Sequence, residues 1–331
     1  MAGARSLRVG ILGAGNIALD HVAALHALDH EVAAGCSTGT SSRRWRDFTL
    51  AAPEARFEPV GEALLVDPQV DAVVACLPWN LTEKWLPKLL STPKPVLIEK
   101  PIALSTKALR AVLDRSNVKL ENKLVGFNRR FYAPVQRLKE RLDQGGLKSV
   151  EITISESVDR LVERYSAEII PHTLAYSSCH ILDAALYLLG PMTPVSIYGY
   201  QERGYPAPFR SLNGLLRTKQ GIPVAFSMNA EDPVPVGIRF RFDDRTAWLL
   251  SPMERLVAYR GYEVIEPTPE VRIRRYSPRP ILESIADSAC KPGFVEQMRA
   301  FTTGEGREIA ATPMDSMHLL GLIESVQQAA I

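Results

Sequence analysis

Cysteine is scarce in this chain: Cys36, Cys76, Cys179 and Cys290 are spread over 331 residues with no C-x-x-C pair among them. That spacing argues for neither a zinc site nor a disulfide framework, and no metal is expected. No apolar run approaches the roughly 20 residues that a bilayer crossing needs. Charge of one sign is lacking too, with 39 lysines and arginines against 37 acids and a formal net charge of +2. A balance that close leaves no footprint for nucleic acid or for an acidic membrane surface. The chain enters its first strand almost at once, which leaves no room for a signal peptide and predicts a cytoplasmic protein. Asn80-Leu81-Thr82 is then an incidental match to a glycosylation acceptor. Repeats and low-complexity tracts are missing as well.

What is present is length and alternation. At 331 residues the chain exceeds one comfortable core and fits two domains. Strand-like and helical patterns alternate through the first 125 or so residues, as in a doubly wound parallel sheet. Leu7 to Leu12 is an apolar strand, Gly13-Ala14-Gly15-Asn16-Ile17-Ala18 follows it, and apolar residues then recur at helical spacing from Leu19. Strand, glycine turn and helix together make G-x-G-x-x-A a dinucleotide signal. Gly13 allows the tight turn, Gly15 lets a pyrophosphate approach the backbone, and the first amides of the helix, at Asn16 and Ile17, meet its charge. The other reading is a glycine-rich turn with no ligand.

The second strand, Glu31 to Cys36, ends without the acid that grips a ribose 2′-hydroxyl; Ser37-Thr38 stands there, followed by Ser41, Ser42, Arg43 and Arg44. Hydroxyls and guanidinium groups suit a 2′-phosphate, so NADP is expected over NAD, unless Arg43, Arg44 and Arg46 are simply a solvated helix face. Val70 to Leu77 reads as a further strand ending at Pro78-Trp79, and Pro95 to Ile98 as another, closed by Glu99-Lys100-Pro101. Alone, Glu-Lys-Pro is a charged turn. At the carboxyl end of a parallel strand it faces the edge where open α/β sheets bind ligands, and a lysine there can hold a substrate oxygen. A helix over Thr106–Ser116 and a last strand, Lys123 to Phe127, lead to Asn128-Arg129-Arg130.

Beyond a helix at Pro134–Leu142, short strand-like runs dominate: Val150–Ser155, Val195–Tyr200, Ser211–Leu216, Val224–Met228, Gly237–Phe242, Ala247–Leu250, Leu256–Tyr259 and Tyr262–Ile265. They predict a large, mainly antiparallel sheet, with 191–208 and 266–280 as long proline-rich loops. One apolar helix, Tyr176–Leu189, interrupts them, and an amphipathic helix over Met314–Ala330 ends the chain. His180 and Asp183 lie three apart on the apolar helix, which puts both on one face, with Tyr176 a turn earlier. His180 suits proton exchange with a carbinol at neutral pH, although a lone histidine on such a helix is more often structural. His21, His26, His30, His172 and His318 read as structural or surface residues.

Taken in order, the glycine turn, Glu99-Lys100-Pro101 and His180-x-x-Asp183 resemble the Gfo/Idh/MocA family (glucose–fructose oxidoreductase, inositol dehydrogenase and rhizopine-catabolism oxidoreductases) over nearly the whole chain. That resemblance implies a Rossmann domain over 1–125 and, over 126–331, an α+β substrate and oligomerisation domain with a large open sheet and the terminal helix packing back across the domains. It implies hydride transfer between nicotinamide and a sugar, amino sugar, sugar nucleotide or cyclitol carbon. By the same likeness Lys100 holds the reacting oxygen, His180 is the general acid/base, and Asp183, Tyr176 and Arg129 contact substrate. Leu77, Pro78, Trp79, Glu99, Lys100 and Asn128 line the cofactor, the Lys100-Pro101 bond is cis, and the protein is a homodimer or homotetramer. Three positions depart from the family pattern: Tyr176 replaces an aspartate, Thr82 a histidine and Ser178 a glycine. They leave room for two other readings, a glycosidase-like enzyme holding NAD tightly and a non-catalytic nucleotide-binding sensor or scaffold.

Overall fold

A computed structural model describes residues 6–115, 117–164, 167–286 and 288–330. In chain order its regular elements are β1 (Arg8–Leu12), α1 (Asn16–His26), β2 (Glu31–Cys36), α2 (Arg43–Ala51), β3 (Arg56–Glu58), α3 (Gly61–Val66), β4 (Ala72–Ala75), α4 (Trp79–Ser91), β5 (Val96–Ile98), α5 (Thr106–Leu113) and β6 (Lys123–Val125). The expected end of α5 at Ser116 lies outside the described residues. After a 3-10 turn at Asn128–Phe131 come α6 (Ala133–Asp143), β7 (Leu147–Glu156), α7 (Val158–Arg164), α8 (Thr173–Tyr176) and α9 (Cys179–Leu189). The chain closes with β8 (Met192–Tyr200), β9 (Ser211–Thr218), β10 (Pro223–Ala230), β11 (Gly237–Phe242), β12 (Thr246–Leu250), β13 (Arg255–Ile265), β14 (Arg275–Ile285), α10 (Phe294–Thr302) and α11 (Pro313–Gln328).

Two compact units result, Met1–Phe131 with Asp287–Gly321, and Tyr132–Ala286 with Leu322–Ile331. The first is built on a six-stranded sheet in the order β3-β2-β1-β4-β5-β6, every pairing parallel. Helices return the chain between parallel strands, so both faces are covered and the central strands are apolar throughout; β4 is Ala-Val-Val-Ala, buried at every position. Ser42 and Ser105 cap α2 and α5, each hydroxyl accepting from an amide three residues on, Trp45 at 3.1 Å and Ala108 at 3.2 Å. Trp45 and Phe48 of α2, Val22 and Leu25 of α1 and Phe294 and Met298 of α10 fill the core around β1.

The second unit holds an eight-stranded sheet ordered β14-β13-β12-β11-β7-β10-β9-β8. It is antiparallel except where β10 runs parallel to β7. Val150, Ile152 and Ile154 on β7, Val224 and Phe226 on β10 and Ile238 and Phe240 on β11 point to a buried face. The other face carries partly exposed residues, as period-two alternation requires. The architecture is the α/β sheet plus α+β sheet that the sequence predicts. Two details differ. Residues 275–280, expected as part of a loop, belong to β14, with Pro278 opposite Tyr262 and Pro280 opposite Tyr259. Proline is tolerated there because β14 is an edge strand, whose outward amides need no partner. The expected helix from Tyr176 is also broken: Tyr176 ends α8, and Ser178 at φ −76°, ψ −2° starts α9 afresh. Tyr176 and His180 are therefore not related by the spacing of one helix.

Among the described residues no helix is long and apolar enough to cross a membrane. One buried charge has a testable consequence. Lys123 is 1% exposed, and its Nζ donates to the carbonyls of Thr92 at 2.9 Å and Lys94 at 2.7 Å. Burial lowers its pKa from 10.5 to about 8. Between those values the unfolded chain binds a proton that the native chain has shed, so stability rises with pH across that window. Urea midpoints for wild type should climb relative to Lys123→Met from about pH 8 to about pH 10, and a constant gap would contradict the buried-charge account.

Candidate functional site

The carboxyl edge of the first sheet is stitched across its strands by single amides. Gly13 N donates to Cys36 O at 3.0 Å, Cys76 N to Leu12 O at 2.8 Å, Glu99 N to Ala75 O at 2.9 Å and Gly126 N to Ile98 O at 2.8 Å. The expected cofactor residues after β1, β2, β4, β5 and β6 thus leave a common, ordered edge. Gly13 has φ +102°, and a Cβ on it would lie 2.5 Å from the Cys76 carbonyl, so only glycine makes this turn. Gly15 is the opposite case: a Cβ there would meet nothing within 4 Å. Open space above Gly15 adjoins the start of α1, whose cap has no side-chain hydrogen bond and whose first turn has no acid. The Asn16 and Ile17 amides, without a partner among the described residues, and the positive dipole end, left clear by Gly15, fit a pyrophosphate.

Past β2, Ser37 is half-buried and Thr38 exposed. Arg43, at the start of α2, is mostly exposed and, among the described residues, pairs with Asp47 at 3.7 Å. A surface pair of that kind is weak, so the guanidinium is available to an anion. Leu77 is half-buried beside the glycine turn, its Cδ2 3.5 Å from where a Gly13 Cβ would be. Pro78 is exposed, and Trp79 opens α4. Thr82, at the position where a family histidine was expected, is buried with its hydroxyl donating to the Leu77 carbonyl at 3.1 Å. It ties α4 to the end of β4.

Glu99 is buried, and the Lys100-Pro101 bond is cis, as expected. The residue that sequence reasoning missed is His21. It is wholly buried on α1, and its Nε2 sits 2.7 Å from Glu99 Oε1. Its ring is 4.9 Å from that of Phe294. Gly126 closes the other side of Glu99, where any Cβ would come within 2.9 Å of the carboxylate. The helix behind the glycine turn is thereby pinned to the residue preceding Lys100. His21 lies 78 positions from Glu99 in sequence, so only the fold reveals the pair. Asn128 is buried, and its Nδ2 donates to the Pro292 carbonyl at 3.0 Å, while the neighbouring Arg129 is half-buried. Burial, aided by Glu99, holds the Cys76 thiol pKa well above the usual range.

In the second unit, His180 is half-buried in the first turn of α9 and Asp183 is buried one turn later. Tyr176, half-buried, ends α8. Cavities of about 590 Å³ and 420 Å³ lie on the less buried sheet face instead, between Arg239, Leu249, Tyr259 and Tyr262 and between Glu151, Thr153, Gly237 and Arg239. None of the candidate site residues lines them. No cluster of metal-ligating side chains occurs among the described residues.

A parallel sheet in this strand order, with a glycine turn opening the helix after its first strand, defines a dinucleotide-binding domain of the Rossmann type. Residues 7–125 match the Gfo/Idh/MocA family, an oxidoreductase family with an NAD-binding Rossmann fold. Over that segment the chain is similar to the Gfo/Idh/MocA family. An inositol 2-dehydrogenase from Rhodococcus jostii is 32% identical over 149 residues, which span 44% of this chain and 40% of that protein. The chain therefore matches well under half of that relative's length. Two solved structures extend the likeness in fold to 98% of the chain. One is an oxidoreductase from Thermotoga maritima, matched over 97% of its own length with a TM-score of 0.74 at 17% identity. The other is a 3-ketoreductase from Actinomadura kijaniata in complex with NADP and TDP-benzene, matched over 98% of its own length with a TM-score of 0.68 at 22% identity.

Proposed function

We propose that the protein is an NAD(P)-dependent oxidoreductase, with NADP preferred, acting on a secondary alcohol or ketone of a sugar, amino sugar, sugar nucleotide or cyclitol. The observation that carries this reading is the carboxyl edge of the first sheet. A clear glycine turn fits a pyrophosphate there, and Lys100 follows a glutamate braced by His21. The inositol dehydrogenase relative and the NADP-bound ketoreductase neighbour support the substrate and cofactor classes.

Gly13, Gly15, Asn16 and Ile17 would hold the pyrophosphate, Ser37, Thr38 and Arg43 the ribose phosphate, and Leu77, Pro78, Trp79, Glu99 and Asn128 the nicotinamide end. The nicotinamide, when bound, supplies or accepts the hydride. Lys100 holds the carbinol or carbonyl oxygen and offsets the charge that develops on it. His180 gives or takes the proton of that oxygen, and Asp183, Tyr176 and Arg129 orient the remaining hydroxyls. In this reading 1–125 serves the dinucleotide and 126–331 serves substrate and assembly. The open sheet face, with its cavities and exposed Tyr198, Tyr200 and Tyr262, is suited to covering by a second copy, giving a homodimer or homotetramer. We place the protein in the cytoplasm, with small molecules as its ligands.

Cofactor choice is the part most open to direct test. Arg43→Ala should raise the NADPH dissociation constant about tenfold, the worth of one exposed charge-assisted contact, and leave that for NADH within about twofold. Tryptophan quenching on titration with each nucleotide reads both constants. Equal weakening of the two would remove Arg43 from 2′-phosphate recognition.

A further inference from the structure

β7 carries a residue that its pattern does not predict. Val150, Ile152 and Ile154 alternate onto the buried face, and the next position on that face is Glu156, 1% exposed. A carboxylate at a core-facing strand position is costly, and such breaks of pattern concentrate where function demands them. Glu156 is held firmly from the backbone. Its carbonyl accepts from Glu231 N at 2.8 Å, and it pairs with Ala230 of the parallel strand β10. Next to it, the Ser155 hydroxyl donates to the Asp232 carbonyl.

The Glu156 carboxylate accepts a hydrogen bond from the Ser178 hydroxyl. Ser178 is itself buried and occupies the cap position of α9, where a serine would ordinarily bond its own helix, yet no side-chain cap bond forms. Its carbonyl meanwhile accepts from Ile181 N at 3.1 Å and Leu182 N at 3.2 Å. One residue therefore grips Glu156 with its side chain and the turn that carries His180 with its main chain. The first turn of α9 has no acid of its own, so the carboxyl group bonded at this helix start comes from β7.

We propose that Glu156 and Ser178 are a positioning pair that sets the placement of His180; this rests on the reading of His180 as the general acid/base. The pair acts through the first turn of α9 and not on substrate. Misplacing a reacting group by an ångström costs about 10²-fold in rate. Glu156→Leu and Ser178→Ala should each lower kcat by about that factor while the NADPH dissociation constant stays within about twofold. The double variant should be no slower than the worse single, because both changes break one bond. Glu156→Gln keeps an acceptor oxygen and should stay within about threefold of wild type.

The second readout needs no turnover: the His180 ring resonances in ¹H–¹³C spectra of the NADPH-bound protein should move in Glu156→Leu and Ser178→Ala and stay in place in Glu156→Gln. If Glu156→Leu does not fold, Ser178→Ala carries both measurements. Unmoved His180 resonances and wild-type kcat in Ser178→Ala would overturn the pair. So would additive losses in the double variant. A wild type that turns over no carbohydrate, but whose His180 resonances respond as stated, would sink the functional reading and leave the pair standing.

Discussion

Lys100→Met should abolish turnover while leaving the dinucleotide bound. Methionine keeps an unbranched, flexible stem in the half-buried setting of Lys100, so the fold of the strand exit is spared. In the proposed role, what disappears is the charge next to the oxygen as it becomes an alkoxide. A single well-placed donor is worth about 10² to 10³ in kcat, and a full charge shielded from water is worth more, so the loss should be at least about 10³-fold. In the proposed site the pyrophosphate end depends on Gly13, Gly15 and the start of α1, which Lys100 does not form. Nucleotide titration should therefore give a dissociation constant within about twofold of wild type. Full activity in this variant would refute the assigned role. Loss of nucleotide together with activity would show Lys100 to be a cofactor ligand first.

His180→Asn carries the second large effect. Asparagine preserves a polar side chain of similar width but exchanges no proton near neutral pH. Removing a general acid/base costs about 10² to 10⁴ in kcat. If His180 is the proposed acid/base, the pH profile of kcat/KM should change shape as well. Added imidazole should restore part of the rate, since the gap left by the ring admits a free base. A variant that keeps both its rate and its full profile would return His180 to the structural role that a lone helical histidine usually has.

How much of this was legible in the chain follows from where the physical signals lie. The parallel sheet was readable because each central strand is buried on both faces and writes a continuous apolar run, as Ala72 to Ala75 does. The glycine turn was readable because Gly13 has a steric reason, the Cys76 carbonyl, that no other residue meets. β14 was not, because Pro278 and Pro280 carry a turn signal that an edge strand overrides. The break between Tyr176 and His180 was hidden for a related reason: the α8–α9 corner is made by Ser177-Ser178, which a helical pattern tolerates. His21 and Glu156 were missed because each is defined by a distant partner, Glu99 for one and Ser178 for the other. A buried histidine on an apolar helix and a glutamate at a strand end are both ordinary until the fold pairs them.

The central claim is net hydride transfer at the edge that holds Lys100, and absorbance at 340 nm tests it most directly. Enzyme stripped of nucleotide by denaturation and refolding would be mixed with NADPH and a panel of keto sugars and keto sugar nucleotides, and with NADP and the matching alcohols or cyclitols. The account predicts a change at 340 nm equal to the product formed, faster with the phosphorylated dinucleotide, and absent in Lys100→Met. Product formed with no net change at 340 nm, alongside nucleotide released from the protein as purified, would contradict it and establish transient oxidation by a retained cofactor.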